Sequence, residues 1–307
     1  MSSGESVHQF LSTAASRREV LRLAIAGGAG VAGVLLLGCG SDEETAAVPS
    51  VTAAPSGFFD SDGVKIHYET QGEGKPIVLV HGFASSLQGN WVITQWVETL
   101  QPVRRVVALD CRGHGQSDKP HDPAAYGGEN MAQDVLRLMD HLGIAKADLF
   151  GYSMGAAVSV YLLAHYREKF TSVILGGIGN VFETAGGERA GVVADALLAD
   201  DISSVTDPIG RAFRAFAELN PNNDLKALAA VMQRPRQPID RADLAGVDIP
   251  VLIVNGANDV IVGSPDELAA AIPGARMVLI PDRDHITVVP DQRFKDEVLA
   301  FLREQDG

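Results

Sequence analysis

Six apolar runs, PIVLVHG, RRVVALD, ADLFGYS, SVILGG, PVLIVNG and RMVLIPD, recur between residues 76 and 282, and most are separated by a helical pattern. A run without polar alternate positions cannot leave one face in water, so these segments read as parallel strands covered on both sides. Between or after them lie WVITQWVETL, NMAQDVLRLMDHLG, SMGAAVSVYLLAHY, SPDELAAAI and DQRFKDEVLAFLRE, with helical character. Two earlier strand candidates, GFFDS and VKIHYET, have no helix between them and give an antiparallel start. The chain is therefore expected to be α/β: a mostly parallel eight-stranded sheet flanked by helices, its core running over 57–178 and 246–307.

Residues 179–245 break this rhythm. They hold no convincing strand but three amphipathic stretches, RAGVVADALLAD, GRAFRAFAELN and DLKALAAVMQR, expected to form a small helical lid after the sixth strand. Phe182, Val192, Val193, Leu197, Phe213, Phe216, Leu225, Leu228 and Met232 either line a pocket beneath the lid or pack its helices onto the body. Arg189, Arg211, Arg214, Arg234 and Arg236 read as solvated surface, with an anionic substrate as the other use.

The amino-terminal stretch has a different composition. Gly28, Gly30 and Gly33 have the spacing of a dinucleotide-binding turn, but they run into VLLLGCGS and an acidic segment with no second strand, so that reading fails. The apolar run from Leu23 to Gly38 is short and diluted for a membrane span. SRREVLR at 16–22 resembles a twin-arginine export signal, with Val20 and Arg22 as departures, and LLGC at 36–39 resembles a bacterial lipobox. Residues 1–38 are thus expected to be a signal peptide and 39–56 a flexible tether. Cys39 would be the lipidated first residue at the cell envelope, or the chain is cleaved without lipidation and exported soluble.

The net charge of -14 opposes a polyanionic partner, so nucleic-acid binding is not expected. The two cysteines, Cys39 and Cys111, sit in contexts too different for a disulfide.

The chemistry centres on Gly151-Tyr-Ser153-Met-Gly155, a G-x-S-x-G between an apolar strand and an unbroken helix. A serine needs a base and an acid, and two later loops supply candidates. Asp259 follows PVLIVNG and His285 follows RMVLIPD, and loops at the carboxyl ends of neighbouring parallel strands converge. Asp134 is the main rival acid; Asp282 and Asp284 share the histidine's own loop and are badly aimed. His67, His121, His141 and His165 read as packed or solvated rings. After PIVLV, the His81-Gly82 turn would aim the Phe83 amide at an oxyanion, opposite the Met154 amide.

These residues together resemble the α/β-hydrolase superfamily from about Gly57 to Glu304, as does LDCRGHGQSDKP at 109–120, similar to the family's D-x-R-G-x-G-x-S segment. The resemblance implies structural roles for Asp110, Arg112, Gly113 and Ser117, and a buried Cys111. Dehalogenases and epoxide hydrolases of the family carry aspartate where this chain has Ser153, and the oxyanion loop HGFASS lacks the prolines of carbon-carbon hydrolases and perhydrolases. The expectation is a carboxylic ester or lactone hydrolase acting on small to medium, largely apolar molecules, without cofactor or metal. Carbon-carbon hydrolysis, perhydrolysis and a non-catalytic binder of the same fold are the alternatives.

Overall fold

The computed structural model describes residues 55–182, 186–235 and 239–306. The leader, Cys39, nearly all of the tether and Arg236 lie outside them. Among the described residues no helix is long and apolar enough to cross a membrane.

Strands β1 (Ser56–Ser61) and β2 (Val64–Gln71) form a hairpin closed by Asp62 and Gly63, both at positive φ (59° and 80°). An Asp-Gly pair in that conformation matches the twist of its strands. β3 (Pro76–Val80), β4 (Arg105–Leu109), β5 (Ala147–Tyr152), β6 (Phe170–Gly176), β7 (Val251–Gly256) and β8 (Arg276–Ile280) run parallel to one another. The eight-stranded sheet has the order β1-β2-β4-β3-β5-β6-β7-β8, with β2 antiparallel to β4. This is the expected architecture, and the central strands β5 and β7 are buried at every position.

Because alternate strand residues face opposite ways, the sheet has two core layers. Val78, Val80, Leu149 and Val173 face one layer with helices α2 (Gly128–His141) and α3 (Met154–His165). Ile77, Leu79 and Phe150 face the other, with Trp91 and Trp96, short helix α1 (Trp96–Leu100) and a helix completing the chain. WVITQWVETL is not one helix: a π-helical turn, Gln88–Val92, is separated from α1 by Gln95 at φ 66°, which lets both tryptophans pack edge-on in the same layer. RMVLI is not covered on both faces either. At the sheet edge, β8 leaves Met277 and Leu279 exposed, because among the described residues no further element packs on that side.

Between β6 and β7 lie α4 (Gly186–Leu198), α5 (Pro208–Glu218), α6 (Leu225–Gln233) and the single turn α7 (Arg241–Leu244). Asp207 caps α5 by accepting the Gly210 amide at 2.8 Å, and Asp224 caps α6 through Lys226 and Ala227. Much of the apolar stripe forms a small core of this region: Val193, Leu197, Ala217 and Leu228 are buried together, with Phe213 and Phe216 against them. Of the arginines, Arg189 and Arg211 are exposed as expected, whereas Arg214 is buried. Arg214, 7% exposed, donates to the Ala196, Leu197 and Ala199 carbonyls at the end of α4, and Arg211 and Arg189 donate to Val205 and Ile261 carbonyls. Helices α8 (Asp266–Ala271) and α9 (Gln292–Glu304) follow β7 and β8. Ser264 accepts the Asp266 amide at the start of α8, which leaves Asp259 free of that task.

Candidate active site

Ser153 sits between β5 and α3 at φ 53°, ψ -111°, a conformation that L-residues adopt only under constraint. The constraint is visible on both sides. A Cβ at Gly155 would lie 2.0 Å from the Val80 carbonyl oxygen, and one at Gly151 would lie 2.3 Å from the Gly155 oxygen, so neither position admits a side chain. The Ser153 amide donates to Gly176 O at 2.8 Å, and its carbonyl starts the helix by accepting Ala157 N.

The order β5-β6-β7-β8 brings the loops after β7 and β8 to the same edge. His285 Nε2 lies 3.0 Å from Ser153 Oγ, and His285 Nδ1 lies 2.7 Å from Asp259 Oδ2. The Asp259 side chain is 1% exposed, and its other oxygen accepts the amides of Ile261 (2.9 Å) and Val262 (3.3 Å). An acceptor-only carboxylate on Nδ1 requires the proton there, so a neutral His285 presents Nε2 as the acceptor for the serine hydroxyl. The three predicted residues are thus hydrogen-bonded in sequence.

The rivals are employed elsewhere. Asp134 makes a buried two-pronged pair with Arg112 and accepts from Ser61. Asp284 accepts the amides of Ile286 and Thr287 within its own loop. In the 109–120 segment, Ser117 donates to Asp110 O and accepts the His67 amide, and Cys111 is buried with its thiol pushed well up by desolvation.

The turn after β3 is held from several sides. His81 accepts the Cys111 amide at Nε2 (3.0 Å) and donates from Nδ1 to Gly82 O (2.8 Å). Burial lowers its pKa despite the opposing pull of Asp110, keeping the ring neutral in that tautomer. Asn90 Oδ1 accepts the Gly82 amide at 3.0 Å. Ala84, at φ 57°, has its carbonyl capped by Asn223 Nδ2 at 3.0 Å, and Asn223 also donates to Ala217 O. Phe83 on this turn packs against Phe213, with ring centroids 6.2 Å apart. A methyl group added at Gly82 would stand 3.4 Å from Ser153 Cβ, so the turn lies directly beside the serine, and Met154 is the first residue of α3.

Three side chains around the site escaped the sequence reading. Tyr152 donates its hydroxyl to the His285 carbonyl at 2.5 Å, and burial, with Asp259 and Asp284 nearby, holds that phenol well above its ordinary pKa. Asn90 acts on the Gly82 amide eight residues before it and Asn223 on the Ala84 carbonyl 139 residues before it, and neither stands in a motif; Tyr152 is the first x of G-x-S-x-G, a position that the motif leaves open. Among the described residues no group of three His, Cys, Asp or Glu side chains is gathered as a metal ion requires.

Comparison with known proteins gives a consistent picture. A family model described as the alpha/beta hydrolase fold matches residues 75–189. The chain is 34% identical over 252 residues to a dihydrolipoyllysine-residue acetyltransferase component of an acetoin cleaving system from Pseudomonas putida, covering 77% of this chain and 66% of that protein. It is 27% identical to a 2-hydroxymuconate semialdehyde hydrolase from the same species, covering 80% of this chain and 93% of that protein. The enol-lactonase of Burkholderia xenovorans LB400 superposes with a TM-score of 0.64 at 28% identity, over 80% of this chain and 100% of the enzyme.

Proposed function

Because the chain belongs to the α/β-hydrolase superfamily, we propose that it is a serine hydrolase that cleaves carboxylic esters or lactones of small to medium, largely apolar molecules. In this reading Ser153 Oγ attacks the substrate carbonyl carbon while its proton passes to His285 Nε2. Asp259 keeps the ring in register and stabilises the imidazolium. The Phe83 and Met154 amides take the oxyanion, a contribution of about 10² to 10³ in turnover per donor. Collapse expels the alkoxide, which leaves with the proton from Nε2, and water then releases the acyl group from Ser153 by the same steps.

The single observation that carries the reading is the unbroken chain of hydrogen bonds from Ser153 Oγ through His285 to Asp259, built on a backbone that only close packing sustains. Phe83 and Phe213 beside the turn favour an apolar substrate, and the similarity to an enol-lactonase favours a lactone among the esters. The similarity to a 2-hydroxymuconate semialdehyde hydrolase supports a second reading, in which the same residues cleave a carbon-carbon bond.

Ser153→Ala is expected to abolish hydrolysis of short p-nitrophenyl esters, and His285→Ala to prevent labelling of Ser153 by a fluorophosphonate; retained activity would refute the mechanism. A panel of esters, lactones and ring-cleavage products then separates the two readings. The twin-arginine pattern and Cys39 support export and lipid anchoring at the cell envelope, with residues 40–56 as the tether. Mass spectrometry of the mature amino terminus tests this, since an unmodified Cys39 would remove the anchor.

A further inference from the structure

On the antiparallel side of the sheet, away from Ser153, a second hydroxyl, imidazole and carboxylate stand in the same order. Ser56 Oγ is 3.0 Å from His67 Nε2, and His67 Nδ1 is 2.9 Å from Asp110 Oδ2. The matching distances at Ser153 are 3.0 and 2.7 Å. The likeness extends outward. Asp110 Oδ1 accepts the Leu87 amide at 2.8 Å and Oδ2 the Gln116 amide at 2.9 Å, as Asp259 accepts those of Ile261 and Val262. Burial acts to raise the Asp110 pKa, but the His67 bond and these amides outweigh it, and the carboxyl lies below its ordinary range. An ionised Asp110 on Nδ1 places the ring proton there and leaves Nε2 as the acceptor facing Ser56.

His67, 1% exposed, is held by its strand and by contact with Phe58, with ring centroids 5.1 Å apart. Ser56, the first residue of β1, is exposed. A solvent-facing hydroxyl on a buried, oriented imidazole is a nucleophile with its base in place. Glu69 Oε1, 4.0 Å from Nε2, adds negative charge where an imidazolium would form, and Gln116 Nε2, at 3.4 Å, is the weaker rival to Ser56 for the same lone pair.

We propose that Ser56 is a second nucleophilic serine, a site of covalent acylation or phosphonylation by activated electrophiles. Its Oγ bonds to the carbonyl carbon or phosphorus, the hydroxyl proton passes to His67 Nε2, and the leaving group, such as p-nitrophenolate or fluoride, departs with its electron pair. The imidazolium then returns its proton to solvent. The surroundings explain why this is a modification site and not a second centre of turnover. Ser153 begins a helix and stands against the turn after β3, where amides meet developing charge. Ser56 lies in the extended edge strand β1, in register with Glu69, and begins neither a helix nor a tight turn. The modified serine therefore accumulates.

The test uses the full chain with a fluorophosphonate and tandem mass spectrometry of the digested protein, on Ser153→Ala and on Ser153→Ala/Ser56→Ala. The single variant is expected to take a phosphonyl group on the Ser56 peptide. The rate should exceed by about 10² that at Ser204, whose hydroxyl instead donates to Asp201 O, since a positioned base gives about 10² to 10⁴. The double variant should lose this label, and Ser56, exposed at a strand end, can be truncated without disturbing the core. No phosphonyl group at Ser56, or one arriving no faster than at Ser204, would overturn the proposal. Labelling at Ser153 in the unaltered chain is read on a different peptide, so failure at one serine is distinguishable from failure at the other.

Discussion

Replacing Asn223 by Ala tests whether the helices between β6 and β7 hold the oxyanion turn in shape. Asn223 Nδ2 donates to Ala84 O and to Ala217 O, both at 3.0 Å. Ala84 is 4% exposed and keeps φ 57°, a conformation costing an alanine roughly 1–3 kcal/mol unless its surroundings enforce it. Without the amide a buried carbonyl loses its donor, a penalty of about 1–3 kcal/mol that water entering at the half-buried position of Asn223 offsets in part. We expect a net loss of about 1–2 kcal/mol, which for a domain of this size lowers Tm by about 2–8 °C. Ala84 adjoins Phe83, so the strain is relieved by moving the Phe83 amide. If the whole 1–2 kcal/mol is needed to aim that amide, kcat and kcat/KM fall together by about 5- to 30-fold, short of the 10² to 10³ for a lost donor. Steady-state hydrolysis of p-nitrophenyl acetate, well below the variant's melting temperature, reads this directly. Asn223→Asp, which keeps the shape but donates nothing, should fall further. A lowered Tm with unchanged kcat would refute the reasoning, because the turn would then hold itself.

Ser153→Gly removes the strain at φ 53° along with the hydroxyl, so it should be inactive yet more stable than Ser153→Ala, by roughly 1 kcal/mol in urea unfolding; equal stabilities would mean the elbow stores no strain. Gly155→Ala would set a methyl carbon against the Val80 carbonyl at 2.0 Å, and soluble expression at the level of the parent chain would contradict that packing. His114 is fully buried with its pKa pushed down to about 3, by burial first and by neighbouring His81 next. Its folded pKa lies below its unfolded value of about 6.5, so the unfolded chain binds the extra proton, and the stability His114 allows is complete above that pH and lost as pH falls toward the folded value. The slope is at most about 1.4 kcal/mol per pH unit for this histidine. Urea titrations between pH 7 and 5 should show His114→Gln flattening this dependence, and an unchanged slope would contradict it.

The strand-helix alternation was legible because a sheet buried on both faces is built mainly of apolar residues, and Asp148, Ser172 and Asn255, polar residues on its inner strands, are buried and hydrogen-bonded. At β8 the same reasoning overreached: apolar composition does not tell an edge from a centre, and Met277 and Leu279 face outward. Ser153, Asp259 and His285 could be picked out because their strands announce where loops must converge. Asn90 and Asn223 could not. Each serves the turn after β3 through one amide or carbonyl, from positions whose nearness to Gly82 and Ala84 exists only after folding. Arg214 was misread for a related reason: an arginine on an amphipathic helix looks solvated until the open carbonyls at the end of α4 come to meet it.

Ala84 belongs to the same buried cluster as Val193, Leu197, Ala217 and Leu228, with Phe83 and Phe213 against it. The unit that can be exchanged between relatives is therefore not the chain segment from α4 to α6. Grafting those helices onto another body without the residues at 83 and 84 would leave a mismatch in the one place where the reaction tolerates least movement. Substrate range in this lineage is expected to drift by paired change, with residues in the two helical arms and in the turn altering together across more than a hundred positions of sequence.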